Sequence, residues 1–308
     1  MNTQSVSETR IGSAASLSQP ISAWGRFYWS IQRELWENRA VYVAPLAVAV
    51  LILLGSLIGA RDMANRVYLS SALEAMKKID EIAKPYNYAA ELIMGTTLLV
   101  GIFYCLGALH GDRRDRSILF WKSLPVSDLT TVLAKASIPI VAIPAITFVV
   151  TVATQAGMLA FETAAVAGRG MNPQQLWSNL PIVQMWLILL YHLVTVHAIW
   201  YAPIFGWLLL VSAWARRAPF LWASVPLLAV GIVEKIAFST SYFGELLLNR
   251  ISGGPESSSF TSSAVAMDGM TMTTPWAYLL SPGLWMGLAF TAACLAGAVR
   301  LRRLRGPI

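Results

Sequence analysis

The chain has 308 residues, 56% of them hydrophobic and only 13% charged, about half the ~25% charge of an ordinary soluble domain. With a mean hydropathy of +0.58 and twelve tryptophans, this composition excludes a disordered, collagen-like or water-soluble globular chain. The net charge of +7 would point to nucleic acid in a soluble protein. Here its placement matters more than its sum, and the class is an all-α polytopic membrane protein.

Residues 1–20 are rich in Ser, Thr and Gln and lack an apolar core, so a disordered cytoplasmic tail without a cleavable signal peptide is expected. Over 21–40 an apolar stripe (Ile21, Trp24, Phe27, Tyr28, Ile31, Leu35) recurs at steps of three and four, opposite Arg26, Arg33, Glu34 and Glu37. That pattern predicts an amphipathic helix lying in the membrane interface. The six-span domain then covers 41–299. Val41–Ala60 carries no charge and is long enough to cross ~30 Å of hydrocarbon. Residues 62–85 read as an amphipathic helix with Met63, Val67, Leu73, Met76 and Ile79 on one side, within an outer loop at 61–91. Leu92–His110 and Ala136–Phe161 are the second and third spans, and residues 162–181 form a further outer loop.

From Gly170 to Ala215 there is no Asp, Glu, Lys or Arg. The apolar part, 182–214, is too long for one upright helix and too short for two with a turn. One tilted helix bent at Pro203 and Gly206 is expected. Pro219–Phe238 and Trp276–Ala298 complete six spans. In the outer loop 239–275, Ile236–Leu248 is interrupted by Ser239, Thr240, Ser241 and Gly244, as a re-entrant or interfacial piece would be. A basic cytoplasmic tail follows at 300–308. With both termini inside, 15 of the 23 Lys and Arg residues fall on the cytoplasmic side, as the positive-inside rule requires. Anionic lipid accounts for this basic excess, so no nucleic-acid partner is expected.

The inner loop 111–135, GDRRDRSILFWKSLPVSDLTTVLAK, is the most informative segment. A charged cluster at Asp112–Arg116 leads into Ile118, Leu119, Phe120, Trp121 and Leu124, halted by Pro125. Ser127 is a fitting N-cap for the helix that enters the third span. Bulky apolar side chains and arginines held at a membrane surface suit a groove on a soluble partner; an interfacial helix resting on headgroups is the alternative. This stretch, together with the order of elements, resembles the ABC-2 type transporter permeases of bacterial inner membranes. The resemblance implies a permease, as exporter, working as a homodimer or a pseudo-dimer of six-span halves with a soluble ABC ATPase subunit that binds ATP and Mg. It places the ATPase-coupling contact on Arg113, Arg114, Arg116, Phe120, Trp121 and Leu124. By the same analogy the second and fifth spans line the cargo path, with Thr96, Thr97, Tyr104 and Ser224 available.

No phosphate-loop motif occurs, so the chain itself is expected to hold no ATP and not to be an enzyme. His192 and His197, five apart on one helix, fall about 140° from each other at 100° per residue and share no α-helical face. Glu234 and Lys235 sit deepest in apolar surroundings: Glu234 either lines the outer path or forms a snorkelling pair with Lys235. Met267, Met270 and Met272 form a weak candidate for a soft metal, and some permeases of this type serve copper-enzyme maturation. A membrane scaffold and, less readily, an intramembrane enzyme remain alternative readings.

Overall fold

A computed structural model describes residues 22–70, 75–115, 126–253 and 278–304. The described residues are 89% helical, with no strands among them. Helix α1 (Ala23–Glu37) starts at Ser22, whose hydroxyl accepts from the Gly25 amide, the N-cap arrangement that satisfies an orphan N–H. Next come α2 (Ala40–Ser70) and α3 (Ala75–Arg114), then α4 (Asp128–Gly168), whose Ile138–Ala142 segment is a π turn. A short α5 (Gln174–Asn179) precedes α6 (Ile182–Trp200), which is π-helical from Leu193 onward. The chain ends in α7 (Ala202–Trp214), α8 (Pro219–Phe238), α9 (Tyr242–Ile251) and α10 (Pro282–Leu304).

Among the described residues six helices are long and apolar enough to cross a membrane: Ala40–Ala60, Ile82–Arg114, Asp128–Gly168, Ile182–Trp200, Pro219–Phe238 and Pro282–Leu304. The span count and the fifth span's limits agree with the sequence reading. Other boundaries move. The backbone of 62–85 does not make a separate loop helix, because its described parts extend α2 to Ser70 and begin α3 at Ala75. The third span starts at Asp128, with Ser127 capping it through a 3.1 Å bond from the Thr130 amide.

The 182–214 tract is not one continuous helix: it is broken at Tyr201, the single residue between α6 and α7 (φ −84°, ψ −4°). Pro203 has no N–H for the carbonyl four residues back, and the Tyr201 amide instead reaches Val196 in the wider π pattern. Gly206 is not part of the break. It marks a close approach of α7 and α10, where a Cβ would stand 3.3 Å from Thr291 Cα and 3.5 Å from Cys294 Cβ.

The core has a main cluster around Tyr104, Val196, Trp200, Phe205 and Leu209, joining α3, α4, α6 and α7. A second, around Ile82, Tyr86, Met158 and Leu176, lies at the other end of the bundle. Helix α8 stands apart: Ala223 is its one buried residue, while Val225, Leu228, Ile232 and Ile236 are exposed.

Candidate functional site

The end of the bundle that carries α1 and the last turn of α10 holds a buried ionic node. Lys135, 2% exposed, donates to Glu34, 1% exposed, at 3.0 and 3.1 Å, and to Asp112 at 3.4 Å. Arg302 donates through Nη1 to Asp112 (2.9 Å) and through Nε to Asp128 (3.1 Å). Arg33 donates to Glu34 at 2.7 Å, and the Tyr104 hydroxyl adds a bond to Glu34 at 3.1 Å. Three cations thus face three carboxylates from α1, α3, α4 and α10, and the pairing offsets the desolvation that would otherwise expel each charge. Asp128 also lies in the first turn of α4, where the helix dipole favours an anion. Burial pushes the Glu34 carboxyl upward, but the charge of Lys135 and the bonds from Arg33 and Lys135 outweigh it, leaving its pKa below the ordinary value.

Several residues selected from sequence occupy unexpected places. Arg113 is not a surface contact: it is buried, and its Nη1 donates to the carbonyls of Ala213 (2.8 Å) and Ala215 (3.4 Å), capping the end of α7. The same junction is closed by Ser212, whose hydroxyl accepts from the amides of Leu109 and His110. Arg114 is exposed and pairs with Asp115 at 3.0 Å. Arg116, Phe120, Trp121 and Leu124 lie outside the described residues, as do Met267, Met270 and Met272.

The side chains placed on a cargo path do not converge within the protomer. Tyr104 belongs to the ionic node, and the buried Thr97 hydroxyl lies 2.9 Å from that of Thr147. Thr96 and Ser224 donate to carbonyls four residues back on their own helices. The Glu234 carboxylate accepts from the Thr240 hydroxyl (3.0 Å) and the Phe243 amide (2.9 Å), tying α8 to the first turn of α9, and among the described residues it forms no ion pair with Lys235.

His192 and His197 do share a face. Their ring centroids are 5.5 Å apart, because the π segment Leu193–Trp200 closes its hydrogen bonds over five residues rather than four and stacks residue i+5 above i. Among the described residues neither nitrogen of His197 has a hydrogen-bond partner.

Sequence reading missed a second polar group at the opposite end. There Tyr86 donates to the buried Glu162, Gln155 donates to the Tyr86 carbonyl (2.9 Å), and Trp186 donates to Gln155 (2.8 Å). The available signal was the spacing of Thr151, Gln155, Met158 and Glu162, which puts all four on one face of α4. Comparison with family models, curated proteins and solved structures finds no match to this chain.

Proposed function

We propose that this chain is the membrane-spanning subunit of an ABC-2 type, ATP-driven exporter in a bacterial inner membrane, with both termini cytoplasmic. A soluble ATPase would supply ATP and Mg and a second copy of the chain would complete the path. One observation supports this reading above the others. Both flanks of the 116–125 loop, Asp112 on one side and Asp128 and Lys135 on the other, are held in one buried ion network with α1 and α10. A push on that loop would reach four helices at once, as a coupling element requires, and a partner can only bias states it binds differently. Arg114, with the loop residues Arg116, Phe120, Trp121 and Leu124, would form the contact; Arg113 would instead brace the loop's base. The exposed apolar surface of α8 leaves room for the second copy.

The test is co-purification with a soluble phosphate-loop protein encoded beside this chain. Reconstitution of both in nanodiscs should give vanadate-sensitive ATP hydrolysis that responds to cargo. Stable association without stimulated hydrolysis or flux would favour the scaffold reading, and no association would remove the permease reading.

A further inference from the structure

Among the described residues only Ala218 and Ser239 combine a side chain with a positive φ, and they flank the same helix. Ala218 (φ 47°, ψ 63°) immediately precedes α8, and Ser239 (φ 53°, ψ 24°) immediately follows it. A Cβ in the left-handed region crowds the following carbonyl, so each position strains the residue it holds. Capping explains neither. An N-cap residue takes an extended backbone and offers a side-chain acceptor, and Ala218 does neither. The left-handed residue after a last turn is ordinarily glycine, and here it is serine.

Little else fixes α8. Near Ala218, the Trp207 indole donates to the Ala223 carbonyl (3.1 Å), and Trp222 stands edge-on to Trp214 with ring centroids 4.7 Å apart. At the other end Glu234 bonds to Thr240 and the Phe243 amide, which lead into and begin α9. Over the roughly 16 Å of helix between Ala223 and Glu234, no hydrogen bond joins α8 to another element among the described residues. The far end of α9 is gripped by contrast. Arg250 donates to the carbonyls of Trp200 (3.2 Å) and Gly283 (2.7 Å), and the Tyr201 hydroxyl donates to the Ile251 carbonyl (3.0 Å). The Tyr278 hydroxyl, ahead of α10, donates to the Thr195 carbonyl beside them. Ser239 is thus the joint between a loosely held helix and an anchored one. Burial does not hold α8 either, because lipid tails are as apolar as the side chains it would cover. A helix with strained joints at both ends and few ties between them can change its tilt at small cost, the joints absorbing the change in φ and ψ.

We propose that α8 is a swinging arm with two resting positions, hinged at Ala218 and Ser239. The described position is the strained one; in the other, both hinges return to negative φ and the Ser239 end moves away from α3, opening that flank of the bundle. The arm belongs to the chain alone, so its test needs no ATPase and stands or falls apart from the transport reading. Full-length protein in nanodiscs is spin-labelled at Ile232 on α8 and Leu99 on α3, both exposed, with the buried Cys105 and Cys294 left in place. Pulsed dipolar spectroscopy should show two label distances, one matching the described position and one longer. Glycine takes positive φ freely, so Ala218→Gly or Ser239→Gly should each raise the shorter population about 5- to 30-fold relative to the longer, the factor equivalent to the strain relieved. Ala218→Val, whose branched Cβ fits the left-handed region least, should shift the ratio the opposite way. If valine prevents folding, the glycine variants decide the matter. Ala215→Gly, in the same loop but at φ −63°, should leave the ratio unchanged. A single distance, the same in the parent and in every folded variant, overturns the arm. A shift toward the longer distance in the glycine variants, or an equal response to Ala215→Gly, overturns the hinges.

Discussion

Lys135 illustrates how much one residue can hold in a low-dielectric setting. Removing a single partner from a buried, hydrogen-bonded pair leaves an uncompensated charge and costs about 3–5 kcal/mol, whereas removing both is far milder. Lys135→Met should therefore lower the unfolding midpoint in detergent sharply. The Glu34→Gln, Lys135→Met double variant should recover part of that loss, because Asp112 keeps Arg302. Acid provides a second reading of the node. A carboxyl whose folded pKa lies below its ordinary value of 4.5 contributes stability that is fully present above that value and lost as pH falls through the folded pKa. Thermal midpoints should hold from neutrality to about pH 5 and drop below it, and Glu34→Gln should flatten that slope.

At the scale of elements, the fourth span shows what local geometry can change. A uniform α-helix would separate His192 from His197, but the π segment brings them to 5.5 Å. Its freed carbonyls are taken by Arg250 and Tyr278, side chains from distant parts of the chain. Such a helix is held by what docks on it, and no window of local sequence reports that. The α7–α10 crossing follows a more readable rule, since helices approach closely where a side chain is missing. Gly206→Leu should cost about 1–3 kcal/mol by overpacking against Thr291 and Cys294, measurable as a lower detergent-unfolding midpoint.

At the scale of the molecule, two surfaces carry the proposed function. Phe120→Ala or Trp121→Ala should reduce ATPase binding or stimulated hydrolysis about tenfold or more if these side chains anchor the partner, while insertion into the membrane is retained. Retained coupling in both would remove the loop from the contact. Helix α8 buries little against its own protomer, so cysteines placed at Val225 or Ile232 should cross-link two copies in membranes if the chain works as a homodimer. Monomer alone at both positions would place lipid on that face instead.

Composition and apolar run length sufficed for the membrane class, the six apolar spans, the existence of the first helix and the Ser127 cap, because each depends on hydrocarbon thickness or on neighbours a few residues away. The tertiary structure alone decided which charges are paired. Lys135 and Glu34 are 101 residues apart and Arg302 and Asp112 190 apart, so no periodicity links them. It also decided which groups Arg113, Tyr104 and Glu234 bond: the Ala213 carbonyl, the Glu34 carboxylate and the Thr240 hydroxyl. A polar side chain in an apolar bundle goes wherever a partner can satisfy it, and the fold supplies that partner.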